Sequence, residues 1–247
     1  CTGFTDLVLK NMEEIPASIV ENCTGFTGTL TLDGVKSVGD RAFAGTNFTA
    51  LDLGRETSVI GDGAFEGCTK LTGTLDLGDV TSLGEAAFKN CSGLTSLVLP
   101  NTNNIPARAF AGCSGFTRLS LPQYIADNTI AARAFEGCSG LAGTLTLPRN
   151  TVTIGANAFA GCSSLTGTLS LPADVEVIGA NAFSGCSGLT GTLNLASKIT
   201  SIGAGAFKNC SGFTTLNLDA KLNIIAESTF EGCSGLTGTL ELPDSVV

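Results

Sequence analysis

Histidine and tryptophan are absent from this chain, tyrosine and methionine occur once each, and only 14% of its 247 residues are charged. Without histidine the commonest general base and every mixed Cys/His metal site are missing. The 13 Lys and Arg residues leave a net charge of −9, and they stand as scattered singlets without a basic run, which makes nucleic acid a poor partner. Apolar runs are only a few residues long, so no stretch reads as a membrane-crossing helix and direct membrane insertion is not expected. The first residue already falls within the repeating pattern described next, so no signal or transit peptide is legible.

What is present is repetition. The stretch Ala158 to Pro172, AFAGCSSLTGTLSLP, recurs along the chain with its Phe at Phe43, Phe65, Phe88, Phe110, Phe135, Phe159, Phe183, Phe207 and Phe230, and with Val20 in the first copy. Three residues after each marker stands a Cys, at Cys23, Cys68, Cys91, Cys113, Cys138, Cys162, Cys186, Cys210 and Cys233, with Thr46 as the one substitute and Cys1 in the same phase. A Leu-x-Leu triplet follows in each copy, and the spacing of 22 to 25 residues is that of a solenoid. About ten stacked turns and a partial one, forming a single elongated domain over residues 1–247, replace the one or two globular domains that length alone suggests.

Within a turn the triplets, such as Leu97-Val98-Leu99, alternate apolar and polar residues as a half-buried strand does. One short parallel strand per turn is expected, ended without penalty by Pro100, Pro122, Pro148, Pro172 or Pro243, since proline cannot continue the ladder. The Ile-Gly-x-x-Ala-Phe phrase is too short for an α-helix and predicts a tight turn or a short 3₁₀ segment. The residue before each Cys is Gly or, at positions 22, 90 and 209, Asn. Both tolerate positive φ, which predicts a left-handed turn. Asn22, Asn90 and Asn209, with Asn47, also match the N-glycosylation pattern, open to use in a eukaryotic secretory setting. An extra Gly at 28, 73, 143, 167, 191 and 238 is what a strand-edge bulge would use.

The phrase AFxGCSxLTxLxLPxxxxxIGxxAF resembles the BspA-type, or Treponema-type, leucine-rich repeats of surface proteins from bacteria and some protists. The resemblance covers essentially all 247 residues; Val20 for Phe and Thr46 for Cys are departures confined to single turns. The expected fold class is therefore an α/β-type repeat solenoid, mostly β and irregular, coiling as a right-handed leucine-rich-repeat solenoid. The resemblance further implies display outside the cell or at its surface, adhesion to host proteins, other cells or matrix, and no enzyme activity.

The residues themselves point to no chemistry that would contradict this. Regularly spaced cysteines lack the close pairs of a zinc site; a buried thiol ladder is expected, with neighbour disulfides as the alternative because stacking brings Cα atoms within reach. Without a base no Ser or Thr is activated, fragments such as Gly61-Asp62-Gly63 precede no long helix that could cradle phosphate, and no cofactor is expected. The exposed strand face is the candidate contact surface, carried by Thr29, Thr31, Asp52, Asp76, Arg118, Thr144, Thr146, Thr168, Ser170, Thr192 and Asn194. Solubilisation by β-branched residues explains such a face equally well, and its Thr-x-Thr pairs suggest ice binding only weakly, because Asp52, Asp76 and Arg118 interrupt them. An insertion at residues 123–129 holds the only Tyr; Tyr124 and Asp127 form a second candidate, a local loop site. The ends show no polar capping turn, so a longer protein or a docked copy is expected to cover them. Two functions follow. One is a scaffold binding a protein or glycan ligand at a cell surface or matrix through its strand face; the other is a subunit of an extracellular fibre or surface layer that self-associates through its ends.

Overall fold

The computed structural model describes residues 1–5, 7–9, 11–99, 104–219, 222, 224–239 and 241–242. It is a parallel β-solenoid of about nine turns, without a helix among the described residues. The Leu-x-Leu triplets form the expected ladder: Thr29–Thr31 pairs with Ala50–Asp52, Gly73–Asp76 with Leu94–Val98 and that with Arg118–Ser120, and Gly191–Leu195 with Phe213–Leu218. Between them the turns join through single bridges such as Thr146 to Ser170. Register places Leu over Leu, as in Leu75, Leu97 and Leu119, so the inward residues form one continuous core while the residues between them face solvent. The bulge reading holds. The register slips between Gly73 and Thr74 and between Gly191 and Thr192, where the two glycines adopt φ of 82° and 78°.

A second parallel ladder accompanies the first. Two-residue strands at Glu14–Ile15, Ser37–Val38, Val59–Ile60 and Ser82–Leu83 pair in sequence, and Thr129–Ile130, Thr153–Ile154, Val177–Ile178 and Ser201–Ile202 do the same. Each buries its second residue or, at Leu83, leaves it half-buried. The strands are too short for the period-2 alternation that marks the Leu-x-Leu strands.

The third side takes the tight-turn form rather than the 3₁₀ one. Around Phe159, Ala158 donates to Gly155 O, Ala160 to Asn157 O and Cys162 to Phe159 O, each three residues back, but the intervening Asn157, Phe159 and Gly161 donate to Ala180, Ala182 and Ser184 of the next turn. Because every second N–H leaves the turn, the successive i to i+3 bonds of a 3₁₀ helix cannot form; the segment is a chain of β-turns that doubles as an inter-turn ladder. Asn157 and Gly161 have φ of 57° and 76°, the positive value that a type II turn needs at its third residue. The left-handed reading before each Cys holds throughout that column, including Asn22, Asn90 and Asn209 at 57°, 61° and 59°.

Phenylalanine fills the core beneath these turns. From Phe43 to Phe230 consecutive rings stack with centroids 5.0 to 6.2 Å apart and planes within 16°. Each fully buried ring contributes on the order of 1.5–3 kcal/mol from desolvation. Pro122 and Pro148 are buried directly after their strands and Pro172 is half-buried; Pro100 and Pro243 lie outside the described residues.

Candidate interaction face

The cysteines are structural. All ten are free and only Cys1 is exposed. From Cys68 to Cys233 each thiol donates to the carbonyl of the marker Phe one turn back, as Cys91 does to Phe65, Cys162 to Phe135 and Cys210 to Phe183 at 3.0 to 3.2 Å. Where Thr46 replaces Cys, its buried hydroxyl donates to Phe43 O at 2.8 Å. Burial pushes the Cys138 and Cys186 thiols up to about 12 and raises Cys113 and Cys162 well above the ordinary thiol range. Such groups are poor nucleophiles and poor metal ligands, because the thiolate is the reactive form. Among the described residues no group of three His, Cys, Asp or Glu could hold a metal ion.

The strand face gathers the residues singled out from the sequence. Thr29, Thr31, Asp52, Asp76, Arg118, Thr144, Thr146, Thr168, Ser170 and Asn194 are exposed, and Thr192 is half-buried. Cross-strand register aligns Thr31 with Asp52, Thr146 with Ser170 and Asn194 with Asn217, and the Asn217 amide donates to Asn194 Oδ1 at 2.7 Å. Two features escaped the sequence. Asp52 and Asp76 accept the N–H of Gly54 and Gly78 at 3.0 and 2.9 Å, so these carboxylates close their own turns; with Arg55 and Asp79 they line one hollow. A further column, Thr49, Thr72, Thr95 and Thr117, donates its hydroxyls to carbonyls of the preceding turn at 3.0 to 3.2 Å, and so stitches turns together.

The inserted loop is pinned from the next turn. Asn150 holds it in a double bond, its Oδ1 accepting Ile125 N at 3.0 Å and its Nδ2 donating to Ile125 O at 2.7 Å, with Asn128 Oδ1 as a further acceptor. Ile125 is buried and Tyr124 is left 51% exposed. Asp127 accepts Thr129 N at 3.1 Å, a turn-forming role. Arg149 N bonds Gln123 O at 2.8 Å, which sets Arg149 beside the Tyr124 segment. On its other side Arg149 lines a hollow with Thr146, Leu147, Ser170, Pro172 and Ala173. Arg149 was missed because a lone exposed cation carries no sequence signal beyond its place after Pro148.

The sequon asparagines are built into the stack. Asn22, Asn90 and Asn209 set their Oδ1 over Gly45, Gly112 and Gly232 of the next turn, where a Cβ would lie 2.2 to 2.4 Å away. A Gly on the following turn thus leaves room for each Asn side chain. All three are exposed, whereas Asn47 Nδ2 already donates to Thr24 O at 2.8 Å.

A solenoid with a Leu-x-Leu ladder, a Phe stack and a thiol ladder is a leucine-rich-repeat scaffold. The sequence pattern of the BspA-type leucine-rich repeat region matches in six copies over residues 1–117 and 103–237, and the chain belongs to that family. No curated protein sequence matches it. Among solved structures, a leucine-rich repeat protein from Eubacterium ventriosum shares the fold with a TM-score of 0.51 at 20% identity, over 91% of this chain and 62% of that one. A leucine-rich cell surface protein from Faecalibacterium prausnitzii aligns with a TM-score of 0.49 at 21% identity, over 91% and 75% of the two chains. The pneumococcal vaccine antigen PcpA aligns at 0.47 and 20%, over 95% and 70%.

Proposed function

We propose that this protein is a non-catalytic adhesion scaffold at the cell surface or outside the cell, which contacts a protein or glycan ligand through its strand face. The observation that carries the reading is the row from Thr144 through Asn194, exposed at every member but half-buried Thr192. Its side chains alternate with buried Leu145, Leu169 and Leu193, so the core fixes their spacing while they remain open to a partner. A rigid, repetitive surface of this kind suits a ligand contacted at many points. Membership of the BspA-type family supports both the interaction role and the surface location.

The test is a binding screen of the 247-residue chain against purified matrix proteins and glycans. A ligand lost on Thr168→Arg with Ser170→Arg, and retained by a turn-side variant such as Asn157→Gly, is the expected result. A ligand that binds the strand-face variant as well as the parent overturns the assignment of the face.

A further inference from the structure

The chain is acidic overall and the pinned loop carries Asp127, whose carboxylate accepts Thr129 N, but the hollow beside that loop has no acidic lining residue. The hollow between the turn of Leu145–Leu147 and that of Pro172 has Arg149 as its one charged lining residue, whereas the hollow at Asp52 and Asp76 is lined by three carboxylates and Arg55. Arg149 is exposed and pairs with no carboxylate among the described residues. Of the two acidic residues on the following turn, Asp174 and Glu176, Asp174 is taken by Lys198. On the other flank Tyr124 stands half exposed on a loop that the Asn150 clamp holds in place. Tyr124 on a pinned loop, an unpaired guanidinium and a hollow walled by Leu147, Pro172 and Ala173 thus lie over consecutive turns, each about 4.8 Å from the next. Tyr and Arg beside an apolar hollow are the residues that dominate protein interfaces, and a guanidinium is suited to gripping a carboxylate with two donors.

We propose that this rim docks an acidic, extended segment of a partner protein. The rim residues lie beside the strand face, so the proposal rests on the scaffold reading above and names a partner class for it. An Asp or Glu of the partner pairs with Arg149, a neighbouring apolar side chain enters the hollow, and the hydroxyls of Thr146 and Ser170 are at hand for its backbone. Charge complementarity selects the class, since the same segment would be repelled at Asp52 and Asp76.

The probe is a labelled peptide of alternating Glu and Leu, titrated against the full chain by fluorescence anisotropy, with its Gln analogue and a uronate polysaccharide as competitors. The expected result is saturable binding, weakened by salt, reduced at least tenfold by Arg149→Glu and several-fold by Tyr124→Ala, and unchanged by Arg55→Glu. Both rim residues are exposed, so circular dichroism melts of the variants should match the parent. No binding of the Glu peptide, equal binding of the Gln analogue, indifference to Arg149→Glu, or stronger competition by the polysaccharide than by the peptide would each overturn the proposal. A ligand still lost on Thr168→Arg with Ser170→Arg would then leave the scaffold reading standing while this rim assignment fails.

Discussion

Turns near residues 50–80 and turns near residues 120–172 bury the same columns yet finish them differently. In the earlier turns the strand ends on Asp and Gly, with Asp52 and Asp76 accepting the N–H two residues on, and an ion ladder runs along the turn side from Glu21 through Arg41 and Glu66 to Lys89. In the later turns Pro122, Pro148 and Pro172 end the strand, and the slot that Arg41 fills earlier passes from Arg133, paired only within its own turn to Glu136, to neutral Asn157 and, one turn beyond, Asn181, all at positive φ. The requirement at each slot is a backbone shape, and either a charged side chain or a preset residue can meet it. The buried columns are therefore held constant by packing, while the exposed ones are free to set charge.

The thiol ladder gives the largest expected effect and runs through both regions. From Cys68 to Cys233 it is unbroken, but Thr46 interrupts it earlier. A thiol whose pKa is raised in the folded state stabilises fully below its unfolded value, and the contribution is lost as pH rises toward the folded value. With Cys138 and Cys186 raised from 9.0 to about 12, the chain should hold its fold to about pH 9 and unfold cooperatively between there and pH 12, as followed by circular dichroism. A chain still folded at pH 12 with its thiols ionised would contradict the burial described here. At neutral pH a thiol reagent should modify one cysteine, Cys1, before unfolding.

The Phe column should be blind to the comparison. Phe65 and Phe159 are both fully buried and both stack against two neighbours. Either Phe→Ala change should cost about 3–5 kcal/mol in denaturant melts. Val20, which fills the slot in the first turn, should cost about 1–2 kcal/mol as Val20→Ala because it loses two methyl groups' worth of burial. A much smaller loss at Phe65 than at Phe159 would mean that the earlier turns are packed by a different rule.

Repetition made most of this fold readable in advance. Ten near-copies average away the noise of any one turn, so the Leu-x-Leu ladder, the left-handed Gly/Asn column, the bulge glycines and the buried Cys column were all visible in the sequence. What stayed hidden depends on relations between turns. The second ladder has only two residues per turn, with no alternation to detect. Between the tight turn and the 3₁₀ segment left open for residues 155–162 the sequence could not choose, because local spacing does not show that every second N–H is claimed from 23 or so residues away. Asp52 and Asp76 were read as surface charge, although each is half spent on its own turn. Arg149 became distinctive only when Asp174 was seen to face Lys198, a pairing across 24 residues.

The ion ladder should matter least for stability and most for what the earlier turns present to solvent. Glu66 sits between two cations, with Lys89 at 2.8 Å and Arg41 at 2.7 Å, and bonds first from Lys89 and then from Arg41 hold its carboxyl below the usual carboxylate range. A depressed carboxylate contributes stability above its unfolded pKa and loses it as pH falls through the folded value. Glu66→Gln should therefore destabilise at pH 7 by less than about 1 kcal/mol, because exposed partners are well screened, and the difference should shrink in 1 M salt. Below the usual carboxylate range parent and variant should converge, since the parent's Glu66 is then protonated as well. The later turns offer the control: Asn181→Ser, in a slot with no ion pair to lose, should show neither the salt nor the acid dependence. Equal sensitivity in both variants would mean that the ladder is not what distinguishes the two regions.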